Sequence, residues 1–285
     1  FIIVLFTSCN VLLIWLLFSN RTSATTENEK TTGHVYDGIE EYDNPLPSWF
    51  FNLFIATFIF AAIYLVLYPG FGSFKGVLGW TQVGALKQDI ADAEAEFKEK
   101  VVPFMEQPAA KLAESREALK MGKRLFKNNC STCHGVDAKG AYAFPNLTDN
   151  DWLYGGSEQT IKQTITHGRK GAMPPWGQVL GKKLEPMAEY VQQLSQEDVS
   201  GHPMHETFQT MCSACHQKDG IGNQMLGGPN LTDDIWLYGG SLSEIRLPIE
   251  KGRNGNMPDF KDTLSKERIH LVTGYILSLS ANTSN

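Results

Sequence analysis

The sequence predicts an all-α chain: two N-terminal transmembrane helices followed by two tandem helical domains of one fold. Three observations carry this reading. Two long runs near the N-terminus hold no charged residue, a Cys-x-x-Cys-His unit occurs twice, and the residues around that unit recur in order at a nearly constant offset. The expected segments are spans at 1–18 and 49–68, a polar loop at 19–48, a linker with a helix at 69–108, and paired domains at 109–200 and 201–285.

The first span, Phe1 to Phe18, reads FIIVLFTSCNVLLIWLLF. Eighteen helical residues reach about 27 Å, close to the thickness of the hydrocarbon layer. No small-residue cleavage site follows, so a retained helix is favoured over a signal peptide or a core helix. Asn20 to Ser48 is polar and ends in Asn44-Pro45-Leu46-Pro47-Ser48-Trp49, whose prolines stop a helix from running back. The second span, Trp49 to Tyr68, carries aromatics at both ends, as interfacial anchors do. The loop between the spans holds Arg21 and Lys30 beside six carboxylates, too little bias for the positive-inside rule to set orientation. Gln82 to Lys100 reads as a solvated helix, and Pro103 and Pro108 are expected to break the chain after it.

The remainder is a repeat. Cys130-Ser131-Thr132-Cys133-His134 matches Cys212-Ser213-Ala214-Cys215-His216 at an offset of 82. Asn146-Leu147-Thr148-Asp149, Trp152-Leu153-Tyr154-Gly155-Gly156-Ser157 and Met173-Pro174 match their counterparts at 84, so the second copy carries two extra residues between His216 and Asn230. Each copy reads as a helix ending at the Cys unit, a Gly/Pro loop, a helix capped by the Ser of Gly-Gly-Ser, a Met-Pro loop and a closing helix. Tyr190, Val191 and Leu194, and likewise Tyr275, Ile276 and Leu279, fall on one helical face.

Two thiols one helical turn apart reach the two vinyl groups of one haem, and the following His faces its iron; this spacing is the c-type haem attachment signal. Zinc needs four ligands, and each unit supplies three. The reading is therefore two covalently bound haem c groups, on Cys130 and Cys133 and on Cys212 and Cys215, with His134 and His216 as iron ligands. For the second axial position the candidates are Met173, 39 residues after His134, and Met257, 41 after His216, each between Gly-x and Pro on a loop. A thioether ligand raises the haem potential and closes the iron to other ligands. Met225, His202 and His167 are rivals that lack a counterpart in the other copy. Arg169 and Arg253, Trp152 and Trp236, and Tyr154 and Tyr238 also repeat, and are candidates to receive haem propionates. The competing reading makes the aromatics domain core and the arginines solvated surface.

The net charge is −6, with no basic stripe interleaved with aromatics, which argues against nucleic acid as a partner. With Met on both irons neither is open for catalysis, so the chain reads as an electron carrier. A dihaem peroxidase needs one iron without Met. A cytochrome serving another membrane dehydrogenase or reductase is the other alternative.

The haem region resembles class I cytochrome c over about Ala110 to Asn282. Asn44-Pro45-Leu46-Pro47-Ser48-Trp49, then Tyr68-Pro69-Gly70-Phe71-Gly72 and Gly76-Val77-Leu78-Gly79-Trp80-Thr81, is similar to the anchor of the dihaem subunit III of cbb3-type cytochrome c oxidase. That resemblance implies transfer of electrons from a donor cytochrome c toward a haem-copper catalytic subunit, beside a monohaem cytochrome c subunit, in a proton-pumping membrane complex. Covalent haem attachment takes place on the periplasmic side of the bacterial inner membrane, so the haem domains are expected there.

Overall fold

In the computed structural model, residues 1–19, 31–42, 47–196 and 199–281 are described. The chain forms two compact units, Phe1–Phe97 and Lys98–Asn285.

In the first unit the uncharged runs become α1 (Ile2–Ser19) and α2 (Ser48–Leu67). Leu17 is the one buried residue of α1 and α2 has none, so both helices are apolar on every side with no protein core to cover them. That pattern is satisfied by lipid, where a helix closes its own backbone hydrogen bonds. Phe18 meets Phe51 at 5.6 Å between ring centroids, which sets the C-terminal end of α1 beside the start of α2.

Between the spans the expected polar loop contains a two-stranded hairpin, β1 (Thr31–Tyr36) and β2 (Ile39–Tyr42). Its turn residues Asp37 and Gly38 have φ 50° and 82°, the left-handed pair that Asp-Gly favours. Arg21, Lys30 and Asn44-Pro45-Leu46 lie outside the described residues. After α2 the chain folds back along its end, with Val77 N–H donating to Val66 O and Leu78 N–H to Leu67 O. A side chain at Gly76 would strike the Leu67 carbonyl, and its φ is 71°.

Helix α3 runs from Gln82 to Met105, past the expected stop at Pro103. Proline there forfeits one backbone bond in the last turns, which the helix tolerates near its end.

The second unit holds the repeat. Pro108 precedes a 3-10 turn, Ala109–Glu114, and then α4 (Arg116–Asn129), capped by Ser115, whose hydroxyl accepts from Ala118 N–H at 3.2 Å. Next come α5 (Ser131–His134), α6 (Glu158–His167), β3 (Arg169–Met173), α7 (Gly177–Leu180) and α8 (Leu184–Gln193). The second copy runs α9 (His205–Met211), α10 (Ser213–His216), α11 (Leu242–Lys251), β4 (Arg253–Met257) and α12 (Lys266–Ala281).

The two copies exchange their closing helices. One core joins Phe126, Ile161 and Ile165 of the first copy to Ile269, Val272, Tyr275 and Ile276 of α12. The other joins Met187, Tyr190 and Val191 of α8 to Phe208, Ile245 and Ile249 of the second copy. Gly122 allows α4 and α12 to cross, since a Cβ there would meet the Leu271 carbonyl and Tyr275. Each large side chain fully buried in this way contributes about 2 kcal/mol of apolar transfer.

The chain crosses over at the Met-Pro segments. Expected as loops, they are instead paired strands, β3 against β4, antiparallel with Arg169 opposite Met257, Gly171 opposite Gly255 and Met173 opposite Arg253. Bonds flanking the ladder are reciprocal: Trp176 N–H donates to Ile249 O at 2.9 Å, and Phe260 N–H to Ile165 O at 3.0 Å. The two donors, Trp176 and Phe260, and the two acceptors, Ile165 and Ile249, are each 84 residues apart, so the copies are related by an approximate two-fold axis through the ladder.

Candidate haem sites

Each Cys unit begins at the C-terminal end of a longer helix and adds one more turn. Cys130 N–H donates to Phe126 O and Cys212 N–H to Phe208 O, both at 2.8 Å. The turn holds the two thiols of each pair close without joining them; all four cysteines are free. Burial, reinforced by the neighbouring thiol, pushes Cys130 and Cys212 up to about 11.

His134 follows on the same turn, with Nδ1 2.9 Å from Pro145 O, and His216 has Nδ1 3.1 Å from Pro229 O. A carbonyl only accepts, so Nδ1 carries the hydrogen and Nε2 keeps its lone pair. Burial holds both imidazoles below the usual range, which favours that neutral form. This is the arrangement by which an outer partner fixes the tautomer of a metal-ligating His.

The thioethers lie across the copies. Met257 packs in the core that contains Cys130 and Trp152, and Met173 in the core that contains Cys212 and Trp236. In sequence Met173 follows His134 and Met257 follows His216, but the exchange of the segments after the crossover packs each methionine into the core of the other copy's Cys unit. Met225 is 92% exposed and His167 is exposed, so neither faces a core. His202 packs on the Tyr190 ring and its Nδ1 accepts from Met204 N–H.

The arginines stay with their own copies. Arg169 lies over the Tyr154 ring at 4.6 Å and Arg253 over Tyr238 at 4.7 Å. The ladder puts Arg169 beside Met257 and Arg253 beside Met173, so each arginine stands at the same end as one thioether. Gly156 and Gly240 leave the space that the Trp152 and Trp236 indoles fill. Arg253 Nε and Nη2 are buried with no hydrogen-bond partner. A buried guanidinium in that state is strongly destabilising unless an anion meets it. A haem propionate would supply that anion, so the donor set fits the group. The carbonyls of Pro145 and Pro229 were not singled out from sequence, although they recur at the same offset as the methionines.

A pair of lipid-facing helices joined to two Cys-x-x-Cys-His folds, each with a His whose Nδ1 is held by a carbonyl and a methionine packed in the same core as its first Cys, defines a membrane-anchored c-type cytochrome. Comparison with known proteins narrows this class. Residues 28–75 match the N-terminal domain of cytochrome oxidase-cbb3, FixP, and residues 117–191 and 200–276 match cytochrome c oxidase, cbb3-type, subunit III. The chain is 43% identical over 278 residues to the cbb3-type cytochrome c oxidase subunit CcoP of Rubrivivax gelatinosus, covering 94% of this chain and 90% of that one. It is 39% identical over 270 residues to the subunit FixP of Azorhizobium caulinodans, covering 87% and 92%. It is 35% identical over 272 residues to the CcoP subunit of Cereibacter sphaeroides, covering 87% and 94%. The chain belongs to the family of cbb3-type cytochrome c oxidase subunit III.

Proposed function

We propose that the chain holds two covalently attached haem c groups and conducts electrons from a donor cytochrome c to the catalytic haem-copper subunit of a cbb3-type oxidase, next to its monohaem cytochrome c subunit. Haem c supplies reversible one-electron iron chemistry when bound. Cys130 and Cys133 fix the first group and Cys212 and Cys215 the second. His134 and Met257 are the axial ligands of the first, and His216 and Met173 those of the second. Arg169 and Arg253 receive propionates, and Trp152 and Trp236 wall the two sites. Both irons are then closed to outside ligands, which suits electron transfer and opposes peroxidase chemistry. The haem-bearing unit faces the periplasm, with α1 and α2 in the inner membrane.

The observation that supports this most directly is the crossed packing of Met257 with Cys130 and of Met173 with Cys212. Met257→Ala tests it. Both haems should stay attached, and the haem on Cys130 and Cys133 alone should lose its thioether ligand and drop in potential. A drop confined to the haem on Cys212 and Cys215 would sink the crossed assignment.

A further inference from the structure

The two arginines are repeated, but their surroundings are not. Arg169 Nε donates to Thr164 Oγ1 at 2.9 Å. The position equivalent to Thr164, five residues before Arg253, is Pro248, which has no side-chain acceptor. This is why Arg253 keeps Nε and Nη2 buried and unpartnered while Arg169 has its Nε engaged. The cover differs as well. Tyr142, on the loop after the first Cys unit, meets Tyr238 edge-on at 5.7 Å, above the ring that carries Arg253. The matching loop of the second copy, longer by two residues, puts Gln224 near Tyr154 and leaves an open cleft lined by Tyr154, Ser157, Thr160, Gln163, Arg169 and Gln224.

Resting on the haem assignment above, we propose that this difference makes the two sites unequal in potential: Arg253 grips a propionate through both Nε and Nη2, the two atoms shut off from solvent, and so sets the haem on Cys212 and Cys215 as the higher-potential one. Oxidation of a haem adds one positive charge. A fixed cation nearby opposes that charge, and does so more strongly where water is excluded. A two-pronged pair also cancels the propionate charge more completely than a single contact. Arg169, with Nε held by Thr164 and its guanidinium beside an open cleft, acts through water and is screened. The residue that selects between the two states is the one at 164 or 248, which acts through the arginine and is a positioning residue.

The test is spectroelectrochemical titration of the full-length protein in detergent. A shared Cys215→Ala background leaves one vinyl free and so marks the second haem by its shifted absorption band. The marked haem should have the higher midpoint potential. Pro248→Thr, which installs the acceptor, should lower it by a tenfold change in its oxidised-to-reduced ratio at fixed potential, 59 mV for one electron. Thr164→Val should raise the unmarked haem. Arg253→Gln should lower the marked haem, and Pro248→Thr added to it should do nothing more, as a shared route requires. A marked haem of lower potential, or one unmoved by Pro248→Thr or Arg253→Gln while fully attached, overturns the role of Arg253. Absence of covalent haem from Cys212 in the parent protein overturns the haem assignment instead.

Discussion

Phe126 and Tyr275 belong to different copies of the repeat, yet their rings meet at 5.5 Å between centroids, tilted by 56°. Tyr190 and Phe208 make the reciprocal contact at 5.3 Å and 50°. Each phenylalanine stands four residues before a first cysteine, so the closing helix of one copy braces the Cys-x-x-Cys-His turn of the other.

The consequence is a crossed effect of mutation. Tyr275→Ala removes a buried ring from the core of the first copy and should destabilise the protein by about 3 kcal/mol. Although Tyr275 lies in the second copy, the absorption band of the Met–iron bond should weaken at the haem on Cys130 first. Thermal unfolding followed at that band checks it; earlier loss at the haem on Cys212 would mean that α12 serves its own copy.

The spans and the repeat were legible because each depends on local pattern: twenty uncharged apolar residues, or ordered matches at one offset. The exchange of α8 and α12 was not, and the reason is the repeat itself. Tyr190-Val191 and Tyr275-Ile276 present nearly the same apolar face, so either closing helix satisfies either core. The strands β3 and β4 were hidden because Arg-Lys-Gly-Ala-Met has no apolar alternation; they exist because two copies of the segment lie side by side. The Asp37-Gly38 hairpin carried a readable turn signal, while the partner that Arg169 finds in Thr164 could not be weighed without the fold.

Asp151 makes stability depend on pH. Burial, with the charges of Asp233 and Asp149 beside it, raises its carboxyl to about 6. The unfolded chain binds that proton less tightly, so the folded state is favoured below about pH 4, and this contribution is lost as pH rises through 6. Asp151→Asn removes the penalty. Allowing for solvent at a half-exposed site, the variant should be more stable at pH 8 by roughly 1 kcal/mol, with little gain at pH 4. Urea unfolding at the two pH values measures this, and an equal gain at both would refute it.

Gln217 ends the second Cys turn with φ 63° and ψ 169°, a backbone conformation that suits glycine; the equivalent position in the first copy is Gly135, with φ 77°. A side chain there stores strain of about 1 kcal/mol or more. Gln217→Gly should therefore stabilise the protein by about 1 kcal/mol, even though glycine usually costs entropy. A lower melting temperature for this variant would show that the turn carries no strain.

The haem-bearing unit should be separable from the membrane, and the cut matters. Val101, near the end of α3, is 1% exposed, within the unit that starts at Lys98. The Phe104 carbonyl accepts from His270 Nε2–H at 3.1 Å, and His270 is 4% exposed. A fragment from Ala109 loses both. It uncovers apolar area worth about 1.5 kcal/mol at Val101 and strips a buried donor of its acceptor, a further cost of about 1–3 kcal/mol. Residues 98–285 and 109–285 should each be soluble without detergent, but the longer fragment should unfold at higher urea, by a stability difference of about 3 kcal/mol. His270→Gln should lower the longer fragment and leave the shorter one nearly unchanged, because only the longer one retains the Phe104 carbonyl. Equal midpoints for the two fragments would place the end of α3 outside the folded unit, and a need for detergent would mean that exposed residues such as Val136, Tyr142 and Met225 form an apolar face that is covered in the native protein.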